Sequence, residues 1–296
     1  MTSIREIPRE EYLLPGTAAC PGCGFTIGLR MALKALGPKV IMVVPAGCTS
    51  IIQSPYPYVS IGVPLLNIAF AAAASTASGI AAALEYKGDK ETTVLVWAGD
   101  GGTADIGIQA LSGAAERGDN FIYVCYDNEA YMNTGIQRSG ATPFGAWTTT
   151  TWTGKREFKK DIPMIMAAHR IPYVATASIA YPIDFYDKLK KAKTYKGLKY
   201  LHLHAPCPPG WKIPTDKTVE IAKLAVETGL WPLYEIENGE FKLTGISKTL
   251  TDKKRRKPIE QYIKIQGRFS NMTDDDIKLL QKWVDEQWEN YARLTK

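Results

Sequence analysis

The segment Thr92-Thr93-Val94-Leu95-Val96-Trp97-Ala98-Gly99-Asp100-Gly101-Gly102 runs from an apolar strand straight into a glycine-bracketed carboxylate. Glycines at such a strand end let the backbone approach a phosphate, and the N-terminus of a following helix favours negative charge. Asp100 is a hard oxygen ligand of the kind that holds magnesium beside phosphates. A second apolar run, Phe121–Tyr126, leads into Asp127-Asn128-Glu129-Ala130-Tyr131-Met132-Asn133-Thr134-Gly135, with Asn128 lying 28 residues after Asp100. A βαβ unit of that length returns the chain to the same sheet edge. Asn128 is therefore placed to complete a metal site with Asp100.

Outward from this unit the chain alternates strands and helices. Helices are expected at Phe25–Leu36, Ile106–Arg117, Ile162–His169 and Pro182–Tyr195, with strands at Val40–Pro45, Tyr173–Ala177 and Tyr200–Ala205. The uncharged, alanine-rich stretch Leu65–Leu84 reads as one long buried helix, and Ser139–Thr153 as an irregular, threonine-rich connection. Such alternation predicts an α/β fold, a mostly parallel sheet with helices on both faces. From about Glu240 the pattern gives way to a basic linker and a final helix, Asp274–Leu294. The expected organisation is thus one cofactor-binding domain, residues 1–239, and a subunit-packing extension, residues 240–296.

Four of the five cysteines, Cys20, Cys23, Cys48 and Cys207, have glycine or proline as an immediate neighbour. Turns of that kind present thiolates, and soft thiolates select zinc or iron–sulfur clusters. Structural zinc usually draws on paired, closely spaced cysteines, and only Cys20 and Cys23 form such a pair. Cys48, Asp100, Asn128 and Cys207 each follow a predicted strand. Ligands in open α/β sheets bind beyond the carboxyl ends of the strands, so all four are expected at one edge.

The 296 residues, 45% of them hydrophobic, suffice for a substantial core. The net charge of +6 is largely local, with five cations in Lys253–Lys257 and six in Lys188–Lys199. Solvated surface explains both runs, and steering of an acidic redox partner is the alternative. No nucleic-acid motif accompanies the charge. Leu65–Leu84 is long enough for a membrane span, but Asn67, Ser75, Thr76, Ser78 and Gly79 interrupt it, so no membrane association is expected. The charged start, MTSIREIPREEY, carries no signal-like apolar region, which with the unpaired cysteines points to a reducing cytoplasm.

The motifs together resemble a known family. Gly99-Asp100-Gly101-Gly102 followed by Asn128 is similar to the diphosphate-and-magnesium motif of thiamine diphosphate enzymes. The surrounding DNEAYMNTGIQRSGATPFGAWTTT resembles the β subunits of 2-oxoacid:ferredoxin oxidoreductases, most closely those acting on pyruvate. PGTAACPGCG near the start and APCPPGW around Cys207 carry the same resemblance, which spans roughly residues 14–215. It implies a thiamine-diphosphate-binding fold and three cofactors: thiamine diphosphate, Mg²⁺ and one [4Fe–4S] cluster on Cys20, Cys23, Cys48 and Cys207. Magnesium would be held by Asp100, Asn128 and the carbonyl of Ala130, with Asn133 facing the thiazolium and substrate. The implied reaction converts pyruvate, coenzyme A and oxidised ferredoxin reversibly to acetyl-CoA, carbon dioxide and reduced ferredoxin. Branched-chain 2-oxoacids, arylpyruvates, 2-oxoglutarate and oxalate remain open as substrates, as do a non-redox thiamine enzyme and a zinc-stabilised scaffold. No C-x₂-C-x₂-C-x₃-CP run is present, so the outward electron path and the activating glutamate are expected on α-, γ- and δ-type partner subunits.

The remaining reactive residues have plainer expectations. Cys125, inside an apolar strand, reads as a buried free thiol. His202 and His204 alternate onto one strand face and, with His169, read as structural. Thr148–Thr151 and Thr153 serve either the site entrance or the loop's own hydrogen bonds, and Tyr56 and Tyr58 are candidates for a subunit boundary.

Overall fold

The computed structural model describes residues 2–53, 57 and 59–295; Tyr56 and Tyr58 lie outside them. Eight strands form one sheet: β1 Val40–Pro45, β2 Leu65–Ile68, β3 Thr93–Gly99, β4 Ile122–Asp127, β5 Tyr173–Ser178, β6 Lys199–His204, β7 Tyr234–Glu237 and β8 Glu240–Leu243. Their spatial order is β2-β1-β3-β4-β6-β5-β7-β8. The first six in that order run parallel, while β7 and β8 are antiparallel additions at the β5 edge.

The helices are α1 Gly24–Leu36, α2 Cys48–Gln53, α3 Ala73–Tyr86, α4 Asp100–Ala104, α5 Ile108–Arg117, α6 Ile162–Ala168, α7 Pro182–Lys193, α8 Pro208–Trp211, α9 Thr218–Glu227, α10 Glu260–Ile263 and α11 Asp274–Leu294. Alternation along β3 shows how the strands divide two cores. Leu95 and Trp97 pack with α1 and α7 on one face. Val94, Val96 and Ala98 pack with α3, α5 and α6 on the other. The parallel α/β expectation holds, with helices on both faces.

The single helix expected over Leu65–Leu84 is corrected. Its first four residues are β2, bonded in register to Met42–Pro45, and the helix begins only at Ala73. The absence of charge there reflects two successive elements rather than one. No helix among the described residues is long and apolar enough to cross a membrane.

The boundary expected between residues 239 and 240 falls at the turn joining β7 to β8. Asn238 and Gly239 have φ of 50° and 91°, the left-handed pair that a tight hairpin demands. Beyond it, Leu250, Tyr262, Phe269, Leu280, Val284 and Trp288 join the same core as α3 and α5. The basic run is also folded down: Lys253 and Arg256 pair with Asp285 at 2.7 and 2.8 Å, and Lys257 with Glu227 at 2.8 Å. In the other run, Lys188 is buried against Asp184, and Lys191 bridges Glu235 and Glu237. With Arg255 paired to Asp252 at 3.8 Å, six of the eleven clustered cations are paired internally, which weakens the idea of a steering patch.

Candidate active site

The strand order brings the sequence candidates side by side. β1, β3, β4 and β6 are consecutive neighbours in the sheet, and their carboxyl ends lead to Cys48, Asp100, Asn128 and Cys207 respectively. Parallel strands point these ends the same way, so residues far apart in sequence share one edge.

At the centre, Asp100 opens α4 and is 1% exposed. Burial and then the neighbouring Asp127 push its carboxyl well above the usual range, against the hydrogen bond that Ser139 Oγ donates to Oδ2 at 2.5 Å. The amide atom that Asn128 turns inward lies 2.9 Å from Asp100 Oδ1 and 3.0 Å from the Ala130 carbonyl oxygen. As nitrogen it donates to both. As oxygen it completes three oxygens facing one another, and the choice follows from what sits between them. Ligand oxygens in an octahedral magnesium shell with bonds of 2.0–2.1 Å lie about 2.9 Å apart. The donor set therefore fits a small hard cation, and a cation there would offset the cost of burying Asp100 ionised.

Beside these oxygens lies a cleft lined by Gly47, Cys48, Gly99, Gly101, Gly102, Asn128, Ala130 and Asn133. Gly101 is needed for close approach, since a Cβ there would come within 2.5 Å of the Tyr131 ring. That ring stacks on Phe70 at 5.8 Å, and its hydroxyl donates to the Gly101 carbonyl at 3.1 Å. The cleft thus has a glycine floor, an aromatic wall and Asn133 exposed at its mouth. This suits a diphosphate laid against backbone.

Cys20, Cys23, Cys48 and Cys207 line a second cavity. Cys48, Asn128 and Asn133 line both spaces, so the two adjoin. All four thiols are unbridged. Burial pushes Cys23 and Cys48 up to about 12 and Cys207 to about 11, and repulsion among the cysteines adds to each shift. Among the described residues no three Cys, His, Asp or Glu side chains converge tightly enough for one metal ion. Four thiols around one cavity are soft donors of the kind that zinc or an iron–sulfur cluster takes. Gly22 holds φ +71°, and a Cβ there would strike the Thr215 carbonyl. The turn presenting Cys20 and Cys23 therefore requires glycine.

Other expectations separate from the site. Cys125 is fully buried inside β4. His202 bonds Asp127 Oδ2 at 2.8 Å and the Tyr200 hydroxyl at 2.7 Å, away from Cys207. His204 lies between Trp211 and Trp231, and burial lowers its ring to about 4. His169 meets Ser112 at 3.1 Å. In the threonine run, Thr149 Oγ1 donates to the Gly135 carbonyl and Thr150 Oγ1 accepts from Arg138 N–H, so both serve their own loop.

Several residues beneath the Asn128 loop have no forerunner in the sequence reading. Asp127 and Glu129, flanking Asn128, are fully buried and share Lys159 at 2.9 and 3.2 Å. Burial alone would raise both carboxyls; Lys159 with His202 outweighs it at Asp127, and Lys159 with Arg268 outweighs it at Glu129. Arg268, from the C-terminal segment, pairs with Glu129 at 2.6 Å. Two anions meet two cations, so the buried network is neutral. Asp127, Glu129, Ser139 and Trp211 lie within motifs visible in the sequence but had no role assigned there, whereas Lys159 and Arg268 lie in none.

Known proteins resemble this chain in sequence and in fold. Residues 45–203 match the family described as thiamine pyrophosphate enzyme, C-terminal TPP binding domain. The chain is 53% identical to ketoisovalerate oxidoreductase subunit VorB of Pyrococcus furiosus, over 98% of this chain and 95% of that one. It is equally 53% identical to pyruvate synthase subunit PorB of Methanothermobacter thermautotrophicus, over 95% and 97%. A 2-oxoglutarate:ferredoxin oxidoreductase from Magnetococcus marinus shares the fold, with a TM-score of 0.59 at 23% identity over 74% of this chain and 82% of that one. The chain belongs to the thiamine pyrophosphate enzymes and, within them, to the β subunits of the 2-oxoacid:ferredoxin oxidoreductases.

Proposed function

We propose that this chain holds thiamine diphosphate, Mg²⁺ and one [4Fe–4S] cluster in a cytoplasmic complex that oxidises a 2-oxoacid. It would work with α-, γ- and δ-type subunits, coenzyme A and ferredoxin. The observation that carries the reading is the common wall of Cys48, Asn128 and Asn133 between the glycine-floored cleft and the four-thiol cavity. A shared wall supports the reading because a cluster held on the four thiols would lie against the reacting end of a cofactor in the cleft.

The residues take distinct roles. The backbone at Gly99, Gly101 and Gly102 accommodates the diphosphate, and Asp100, Asn128 and the Ala130 carbonyl hold the magnesium. Cys20, Cys23, Cys48 and Cys207 hold the cluster, and Asn133 orients the 2-oxoacid at the cleft mouth. When bound, thiamine diphosphate supplies an electron sink for loss of carbon dioxide, and the cluster supplies single-electron acceptance. Tyr131 and Phe70 shield one side of the cleft from water. The extension over residues 240–296 would offer its outer face to a neighbouring subunit.

Pyruvate is the proposed substrate, giving acetyl-CoA, carbon dioxide and reduced ferredoxin reversibly. A second reading, a branched-chain 2-oxoacid, is favoured equally by the relatives, since VorB and PorB are both 53% identical. Anaerobic purification with co-purifying subunits, metal and thiamine analysis, and a 2-oxoacid panel with coenzyme A test the proposal. The expected result is a brown complex reducing ferredoxin with pyruvate. Preference for 2-oxoisovalerate would replace the substrate, and colourless protein with stoichiometric zinc would overturn the cluster.

A further inference from the structure

The loop carrying Asn128 and Ala130 is gripped from behind by two residues outside both cavities' chemistry. Trp211 Nε1 donates to the Asn128 carbonyl at 2.8 Å, and the Trp211 backbone N–H donates to the Cys207 carbonyl at 2.9 Å. The Arg268 guanidinium lies 3.6 Å over the Trp211 ring. Its Nη2 donates to Glu129 Oε2 at 2.6 Å and to the Tyr262 hydroxyl at 3.1 Å, and its Nε donates to Gln266 Oε1 at 2.9 Å. Glu129 itself holds φ +67°, a conformation a non-glycine residue keeps only when its surroundings enforce it. Thr142 Oγ1 donates to the Glu129 carbonyl at 2.7 Å, and Glu129 N–H donates to Asp127 Oδ1 at 2.9 Å. The left-handed residue therefore sits between the two loop positions whose oxygens face Asp100, and its side chain ends on Arg268.

We propose that Arg268 and Trp211 are positioning residues for the Asn128–Ala130 loop: the guanidinium, pressed on the indole and tied to Glu129, fixes the turn that aims the Asn128 amide and the Ala130 carbonyl at Asp100. Arg268 suits this task better than lysine, because a planar fork can stack on an aromatic face while donating in its own plane. Trp211 lies four residues after Cys207, so the same indole ties the thiol-bearing turn to the oxygen-bearing loop. The inference rests on reading those oxygens as a magnesium site.

The test uses R268K and W211F in the complex isolated with its partner subunits and stripped of metal and thiamine diphosphate. The Mg²⁺ concentration giving half-maximal thiamine diphosphate binding is measured by calorimetry, with the unfolding midpoint recorded alongside. Both variants are expected to need roughly tenfold more Mg²⁺, the equivalent of about 1.4 kcal/mol. W211F keeps a ring beneath the guanidinium and loses only the N–H donor, so it decides the matter if R268K does not fold. A purely structural brace would lower the midpoint and leave the Mg²⁺ requirement of the folded protein unchanged. That result in both variants, or a shift confined to one, overturns the shared role. Failure of the unaltered complex to bind thiamine diphosphate in a Mg²⁺-dependent way would instead overturn the reading of the site.

Discussion

Replacing Arg268 with methionine should expose the energetics of the network under the active site. Both partners of the Arg268–Glu129 pair are 2% exposed and meet at 2.6 Å. Removing one partner of such a pair strands a buried charge, at a cost of about 3–5 kcal/mol. Here Lys159 still lies 3.2 Å from Glu129, so the low end applies, about 3 kcal/mol. For a chain of this size each kcal/mol moves the unfolding midpoint by about 2–4 °C, giving a fall of about 6–12 °C. The double variant E129Q/R268M removes both charges and should recover part of that loss, with a coupling energy of about 2 kcal/mol. Anaerobic thermal unfolding of the wild type, both single variants and the double variant measures the cycle. A fall below about 2 °C in R268M, or costs that simply add in the double variant, would refute the argument that Arg268 neutralises Glu129 in a desolvated site.

Two further outcomes test other parts of the structure. Cys207→Ala should deplete iron while retaining thiamine diphosphate, and Asp100→Ala the reverse, as read by iron and thiamine analysis of the purified variants. Loss of both cofactors from both variants would show that the adjoining cavities are not separable sites. Lys199, 4% exposed with Nζ 2.8 Å from Asn120 Oδ1, has its ammonium lowered by burial to about 8. The unfolded chain then binds the extra proton between pH 8 and about 10.5, so the destabilisation is full below pH 8 and fades as pH rises through that window. Lys199→Met should be more stable by about 2 kcal/mol at pH 7 after loss of the Asn120 hydrogen bond. A stability gap independent of pH would contradict this assignment.

Most of the fold was legible because its signals are local. Apolar runs ending in glycine or acidic residues marked β1, β3 and β4, and β1 and α11 begin and end where expected. β2 escaped because Leu65–Ile68 is short and runs into an alanine-rich helix without a charged or proline break. The β7–β8 hairpin carried a usable signal, Asn238-Gly239 between alternating residues, hidden by the polar surroundings of the chain after it. In the site, the cysteines, Asp100 and Asn128 stand out by neighbour and spacing. The bracing residues do not. Arg268 meets Glu129 across 139 residues and Lys159 meets Asp127 across 32. In sequence Arg268 is one more cation in a basic region, and its burial depends on a tertiary contact that no local pattern encodes.

The position of β6 has a consequence for assembly. This strand lies between β4 and β5 yet is synthesised after both. Until residues 199–204 insert, β2-β1-β3-β4 and the β5 side are two fragments of a sheet with an open slot between them. The strand that fills the slot is also the one that delivers Cys207. The fourth thiol of the proposed set thus arrives with the keystone, after the other three have been made. If the four thiols hold the proposed cluster, closure of the sheet sets when it can be housed, and a lesion that slows that closure is expected to leave protein short of iron.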